Sequence, residues 1–272
     1  MQRVLVMCAA VVAVALALLA PAAASAWAPA SSATVHPGVQ TFTDGAQCTS
    51  NFVFSDGSTT YLGQAAHCSG TGAATDTDGC SSASLPLGTP VEITGAGKPG
   101  TLVYNSWLTM QAKGETDPDT CAYNDLALVK IDPADVGSVN PSVPAWGGPT
   151  GVGNAAASDD VFSYGNSELR GGITKLSPKQ GKVVSVDGNG WSYTLYTVTP
   201  GIPGDSGSAF LNPSGQALGV LSTVAIAPLA GSNGVGSLSK ELAYMHANGN
   251  GANVVAGTEA FNPSLAAALG GA

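Results

Sequence analysis

The sequence predicts an all-β protein built from two β units. Short apolar runs recur along the chain, and clusters of Gly, Asn, Asp, Ser or Pro separate them. Runs of this length between turn residues are typical of strands in a sandwich or barrel. A Pro- and Gly-rich segment, residues 140–154, divides the chain near its middle and would link the two units. The predicted strands are residues 51–54, 101–104, 126–131, 161–164, 183–186, 193–198 and 217–221.

The amino-terminal segment, residues 1–26, predicts a secretory signal peptide. Arg3 precedes an unbroken apolar run, residues 4–20, and Ala24, Ser25 and Ala26 provide a small-residue cleavage site. A charged start, an apolar centre and such a site are the parts of a signal peptide. A membrane anchor is the alternative, but the run is shorter than the roughly 20 residues of a spanning helix. We expect a secreted protein without membrane contact after cleavage.

Helical periodicity is confined to the end of the chain. Residues 238–247 place Leu238, Leu242 and Met245 on one face, and Gly249 follows as a stop signal. A second short helix could form at residues 263–269. The tail beyond residue 250 is rich in Gly and Ala, and we expect it to wrap the surface.

The charge balance argues against nucleic acid as a partner. The chain has 18 acidic residues against nine basic ones, a formal net charge of −9. Such a surface repels nucleic acid and anionic membranes and favours solubility. The basic residues are scattered rather than clustered, so they form no patch for nucleic acid. Separately, we expect the protein to be a monomer.

The cysteines indicate two disulfides. Beyond the signal segment four remain, Cys48, Cys68, Cys80 and Cys121. An even number in an exported chain is typical of disulfides, and four cysteines allow three connectivities. A zinc site is the alternative, but the spacings contain no C-x-x-C pair and His67 is the only histidine among them. We expect no metal and no cofactor.

Three segments have the residue types of nucleophilic catalysis. Residues 64–68 (Gln-Ala-Ala-His-Cys) contain His67, residues 124–130 (Asn-Asp-Leu-Ala-Leu-Val-Lys) open with Asp125, and residues 204–210 (Gly-Asp-Ser-Gly-Ser-Ala-Phe) contain Ser206. A serine hydroxyl becomes a good nucleophile when a histidine takes its proton, and the imidazolium needs a fixed anion on its other nitrogen. Glycines beside the serine let the backbone turn tightly, so that the N–H groups of Gly204 and Ser206 can form an oxyanion hole.

In their order His, Asp, Ser, these segments resemble the signatures of the chymotrypsin-like serine peptidases, over about residues 36–250. The resemblance implies a serine endopeptidase with His67 as base, Asp125 as orienting acid and Ser206 as nucleophile. It implies polypeptide substrates and an all-β fold of two antiparallel six-stranded β-barrels with a short C-terminal helix. The first barrel would span residues 36–145 and carry His67 and Asp125. The second, with the helix and Ser206, would span residues 155–250, before a tail at residues 251–272.

The resemblance also implies a disulfide pairing. In the family, a disulfide holds the loop of the catalytic histidine, which here would join Cys48 to Cys68. Cys80 and Cys121 would then form the second disulfide. The Ala/Gly-rich composition and the absence of an Ile-Val-Gly-Gly-like new amino terminus resemble a bacterial branch of the family.

Without such an amino terminus, Asp205 needs another positive partner, because an isolated buried carboxylate is costly. Arg170 is the only arginine left after signal removal and follows the predicted strand at residues 161–164. We expect it to pair with Asp205 and keep the oxyanion hole preformed. The alternative is an ordinary surface arginine.

The specificity pocket is predicted from the same resemblance. Its base would lie six residues before Ser206, at Pro200, and the strand that pairs with substrate would include Ser222, Thr223 and Val224. Between Asp205 and Glu241 the chain has no acidic residue, so cleavage after Lys or Arg is not expected. Val224 stands where relatives often have glycine and would narrow the pocket entrance. Uncharged side chains of small or medium size are therefore expected before the cleaved bond.

Several other titratable residues are expected to lie outside the site. His36 lies in a loop and His246 near the end of the predicted helix, where both would be at the surface. Three further aspartates are explained by turns next to proline, Asp117, Asp119 and Asp132.

Two other functions compete with the peptidase. An α/β-hydrolase needs the order Ser, acid, His, which Ser206, Glu241 and His246 satisfy, but no helix is predicted directly after Ser206. The second alternative is a catalytically silent binding protein with the same fold. Such proteins usually lack a residue of the triad, and here all three are present.

Overall fold

The structure is a computed structural model that describes residues 27–73, 75–224 and 231–270. The predicted signal peptide, residues 1–26, lies outside the described residues. Fourteen strands occur in the described part of the chain: β1 Gln40–Thr43, β2 Ala46–Thr49, β3 Val53–Ser55, β4 Thr60–Ala65, β5 Pro90–Ile93, β6 Gly100–Asn105, β7 Leu126–Lys130, β8 Asp160–Tyr164, β9 Pro178–Asp187, β10 Ser192–Thr197, β11 Ala209–Leu211, β12 Ala217–Val224, β13 Asn233–Ser237 and β14 Asn253–Val254.

The second β unit is a closed six-stranded antiparallel barrel, as predicted. Its strand order is β10-β13-β12-β11-β8-β9. The pairing of β12 with β13 has an irregularity between Leu221 and Thr223, close to the residues expected to meet substrate. The barrel therefore presents the Ser206 segment before β11 and the Ser222 segment on β12 at one side.

The first β unit differs from the six-stranded barrel that was expected. It is an eight-stranded antiparallel sheet in the order β14-β3-β4-β7-β6-β5-β1-β2. At one end of this order, β2 follows β1 through a tight hairpin in which Asp44 and Gly45, both with positive φ, join Thr43 to Ala46. At the other end, β14 comes from the tail, where Asn253 pairs with Ser55.

Four α-helices of six to ten residues occur beside the strands in the described part of the chain: α1 Ser106–Lys113, α2 Pro118–Tyr123, α3 Leu238–Ala247 and α4 Leu265–Gly270. The last two agree with the prediction, whereas α1 and α2 were missed. Both are defined by their ends: Asn105 Oδ1 caps α1, Gly114 ends it at φ 66°, and Asp117 caps α2 ahead of Pro118. Segments this short contain too few apolar residues for a helical period to stand out.

The core continues across the two units. One cluster of buried side chains includes Phe54 and Leu128 of the first unit, Phe162 and Leu211 of the second, and Met245 of α3. The tail takes part as well, because Phe261 packs edge-on against Phe162 at 5.3 Å between ring centroids. The tail is thus partly built into the core rather than only wrapped around the surface.

Two disulfides brace the first unit. They join Cys48 to Cys68 and Cys80 to Cys121, which is the pairing implied by the resemblance. Within the described residues, no helix has the length and apolar character needed to cross a bilayer.

Candidate active site

His67 is held at the end of β4 by short-range structure. The strand ends at Ala65, and residues 66–69 form a 3-10 turn that contains His67. The next residue, Cys68, is bonded to Cys48 on β2. The side chain of His67 keeps 24% of its surface exposed. The disulfide and the turn together fix the histidine at an open edge of the first unit.

Asp125 faces His67 from the start of β7 and is buried. Its Oδ2 lies 2.6 Å from His67 Nδ1, and its Oδ1 accepts a hydrogen bond from the main-chain N–H of His67 at 2.9 Å. Both carboxylate oxygens therefore hold one residue, which fixes the orientation of the imidazole.

The environment of His67 favours its charged form. Burial alone would lower the pKa of His67, but the negative charge of Asp125 and the hydrogen bond to it outweigh burial, so the pKa is raised above its ordinary value. A histidine in this setting can take up a proton and be stabilised as imidazolium.

Ser222 supplies a third contact to the acid. Its hydroxyl donates to Asp125 Oδ2 at 2.6 Å. The sequence analysis placed Ser222 among the substrate-binding residues on β12, and the structure shows that its side chain contacts Asp125. No local signal marks this contact, because 97 residues separate the two side chains along the chain.

Ser206 lies in a tight turn that reaches the first unit. Gly204 and Gly207 flank it with φ of 91° and 88°. Ser206 O accepts from Thr49 N at 2.8 Å, and a Cβ atom at residue 207 would lie 3.0 Å from Ala65 N, two residues before His67. Ser206 is thereby brought to the edge that carries His67. Among the described residues, no hydrogen bond joins its hydroxyl to the histidine.

The two amides expected to form an oxyanion hole are oriented through their peptide carbonyls. Pro203 O, in the peptide that carries Gly204 N–H, accepts from Ser167 Oγ at 2.5 Å. Asp205 O, in the peptide that carries Ser206 N–H, accepts from Ser208 Oγ at 2.5 Å. Within the described part of the chain, neither Gly204 N nor Ser206 N donates to a protein acceptor. Neither N–H group is therefore occupied by a protein acceptor in that part of the chain.

Asp205 is fully buried and has two cationic partners. Arg170 Nη2 contacts its Oδ2, as expected from the sequence, and Lys179 Nζ lies 3.0 Å from the same oxygen. Ser167 N donates to Oδ1 at 3.0 Å and Ile202 N donates to Oδ2 at 3.1 Å. The carboxylate thus ties the turn before Ser206 to the loop that follows β8.

Lys179 is the partner that sequence reasoning missed. It lies on β9 with no exposed surface. Burial lowers its pKa to about 8, although the charge of Asp205 acts in the opposite direction. Its neighbours on β9 include Gln180, Gly181 and Lys182, so no local pattern marks it as buried.

The residues expected to line the specificity pocket are at least partly exposed. Pro200 is exposed, and its carbonyl accepts from Arg170 Nη2 at 3.0 Å. Thr223 and Val224 are exposed at the end of β12. A further residue, Asn233, is buried here and its Oδ1 accepts from Gly201 N at 2.8 Å.

The other histidines and aspartates considered in the sequence analysis make contacts away from the Asp125–His67 pair. His36 Nδ1 contacts Pro37 O at 2.7 Å and His246 Nε2 contacts Ala252 O at 2.8 Å. Asp117 caps α2, and Asp132 Oδ1 accepts from Ala134 N at 2.9 Å. Clusters with metal-binding side chains among the described residues all contain disulfide-bonded cysteines. The arrangement of Ser206, Glu241 and His246 that a rival hydrolase would need is not assembled.

Comparison with proteins of known structure identifies the fold. No protein-family model and no curated protein matches the chain. Protease A of Thermobifida fusca matches with a TM-score of 0.53 and 20% identity, over 82% of this chain and 99% of that one. A Glu endopeptidase in complex with MPD matches with a TM-score of 0.51 and 16% identity, over 83% and 96%. The chymotrypsin of Cellulomonas bogoriensis matches with a TM-score of 0.49 and 17% identity, over 81% and 98%.

This chain has a closed β-barrel, a second sheet and a C-terminal helix, and the first two of these structures match it over more than nine-tenths of their own length. The chain therefore has the chymotrypsin-like fold, as its resemblance to that family of serine peptidases implied.

Proposed function

We propose that the chain is a serine endopeptidase that cleaves peptide bonds through an acyl-enzyme on Ser206. The observation that carries the proposal is the two-point contact between Asp125 and His67, at the edge to which the Ser206 turn is bound. The fold is one that T. fusca Protease A and a Glu endopeptidase also have, and both are named as peptidases.

In the first half of the reaction, His67 Nε2 takes the proton of Ser206 as the serine oxygen attacks the peptide carbonyl. Asp125 holds Nδ1, which keeps the imidazole in the tautomer that can accept the proton. The N–H groups of Gly204 and Ser206 stabilise the oxyanion of the tetrahedral intermediate. His67 then gives the proton to the leaving amine, and the acyl group stays on Ser206.

In the second half, water replaces the amine. His67 takes a proton from water, the hydroxide attacks the acyl carbon, and the same two N–H groups stabilise the second oxyanion. Collapse of that intermediate releases the carboxylic acid and returns the proton from His67 to Ser206. No cofactor or metal enters the cycle.

Substrates are proposed to have an uncharged residue before the cleaved bond. A pocket for Lys or Arg needs a carboxylate, and Asp205 is already engaged by Arg170 and Lys179. The residue expected at the pocket base, Pro200, carries no charge. The predicted signal peptide and the two disulfides support action outside the cell.

The test is covalent labelling of the secreted full chain with a fluorophosphonate probe, followed by mass spectrometry. We expect one adduct, on Ser206, and cleavage of an unstructured protein substrate. Ser206→Ala should abolish both the adduct and the cleavage. A folded wild-type protein that neither reacts with the probe nor cleaves any of a mixed peptide library would support the silent binding protein instead.

A further inference from the structure

A second buried carboxyl group lies behind the Asp125–His67 pair. Glu241 is on the first turn of α3 and has no exposed surface. Its Oε1 accepts a hydrogen bond from the main-chain N–H of Asp125 at 3.0 Å. The packing is close, because a Cβ atom at residue 236 would lie 2.7 Å from the same oxygen. Helix α3 thus reaches the residue that orients the histidine.

The main chain of Asp125 is fixed on both sides. Its N–H is held by Glu241, and its carbonyl accepts from Ala66 N, next to His67, at 2.9 Å. The direction of the Asp125 carboxylate depends on this backbone, and so does the placement of His67 Nε2. A displacement of about 1 Å at such a site can lower the rate about 100-fold.

We propose that Glu241 is a positioning residue for the Asp125–His67 pair and that it acts as a neutral acid. The proposal rests on the peptidase function proposed above. In the neutral form the carbonyl oxygen of Glu241 accepts from Asp125 N–H, while Asp125 remains the negative charge next to the imidazole.

The surroundings favour that neutral form. The titratable groups that interact with Glu241 are Asp125, at the start of β7, and Tyr104, on β6; Tyr244, on the same helix, interacts with Glu115. Glu241 Oε2 has no hydrogen-bond partner among the described residues. Burial raises the pKa of Glu241 to about 8; the hydrogen bond from Asp125 N–H opposes this shift and the charge of Asp125 adds to it.

The neutral form has a measurable consequence for stability. The pKa of Glu241 is raised from 4.5 to about 8 on folding, so the folded chain binds more protons than the unfolded chain between these values. Stability therefore falls as the pH rises through this window. Glutamine cannot ionise, and Glu241→Gln should remove this part of the pH dependence.

The experiment compares Glu241→Gln and Glu241→Met, with Leu242→Ala as a control for loss of packing on the same helix. Active-site titration sets the enzyme concentration, and kcat and KM are measured well below the unfolding midpoint. We expect Glu241→Met to lose 10- to 100-fold in kcat with KM within about twofold, and glutamine to restore kcat to within about threefold. Leu242→Ala should lower the unfolding midpoint and leave kcat unchanged.

A wild-type kcat in Glu241→Met would overturn the positioning role, as would an equal loss in Leu242→Ala. If Glu241→Met does not fold, Glu241→Ala takes its place in the kinetic comparison, and the glutamine variant tests the neutral acid separately. The unfolding midpoint of Glu241→Gln should rise relative to that of wild type between pH 5 and pH 9. A difference between the two midpoints that is the same at both pH values would overturn the neutral acid.

Failure of this proposal is distinguishable from failure of the proposed function. If Ser206→Ala is inactive while the Glu241 variants behave like wild type, the peptidase assignment stands and the positioning role is wrong. If Ser206→Ala retains wild-type activity, the nucleophile assignment itself is wrong.

Discussion

At neutral pH, Arg170 should stabilise the fold through its contact with Asp205, whereas Lys179 should destabilise it. Lys179 and Arg170 both contact Asp205 Oδ2, although one cation is enough to neutralise one carboxylate. Lys179 is fully buried, so its ammonium group has lost all contact with solvent. We expect Lys179→Met to stabilise the fold at pH 7, because methionine fills a similar volume without a charge.

The magnitude follows from the pKa of Lys179, which falls from 10.5 to about 8 on folding. At about 1.4 kcal/mol per pKa unit, the buried charge costs about 3 kcal/mol relative to a solvated lysine. Between pH 8 and 10.5 the folded chain binds fewer protons than the unfolded chain, so the stability of the wild type rises with pH there. The advantage of the methionine variant should therefore be about 3 kcal/mol at pH 7 and disappear by about pH 10.5.

The assay is urea-induced unfolding of wild type and Lys179→Met at pH 7 and pH 10, with the disulfides intact. Arg170→Met is the matched control. It removes the guanidinium that contacts both Asp205 and Pro200 O and leaves the buried Lys179 as the remaining cation on Asp205, so we expect it to lower the free energy of unfolding. A methionine variant at position 179 that is less stable than wild type at pH 7 would refute the reasoning. So would an advantage that is the same at both pH values.

Two further predictions concern the acid and the second disulfide. Asp125→Asn should fold but lose about four orders of magnitude in turnover, because an amide at this position holds His67 in the wrong tautomer; steady-state kinetics with active-site titration measures the loss, and full activity would require a different acid. Replacing Cys80 and Cys121 by alanine opens a loop with a sequence separation of 41 residues and should cost about 4 kcal/mol in the free energy of unfolding. Chemical denaturation checks this value, and a change below about 1 kcal/mol would show that the loop is already ordered in the unfolded chain.

Local patterns located seven of the fourteen strands in the described part of the chain. Alternating or continuous apolar runs between turn residues predicted β7, β8 and β10 nearly to their ends, because such runs have few other ways to bury their side chains. The same apolar patterns did not predict helices α1 and α2. Each is stabilised by a capping side chain, Asn105 or Asp117, and by packing against distant parts of the chain rather than by a long apolar period.

The order of three short motifs, by itself, singled out His67, Asp125 and Ser206 as the candidates for chemistry, since each motif combines a reactive side chain with the small or apolar neighbours that it needs. Tertiary structure alone decided what surrounds them. Ser222, Lys179 and Glu241 reach the site from strands and a helix far along the chain, and the hydrogen bond from Asp125 to Glu241 spans 116 residues. Whether a polar side chain is buried next to a carboxylate depends on how the sheets and helix pack, and no local pattern encodes that packing.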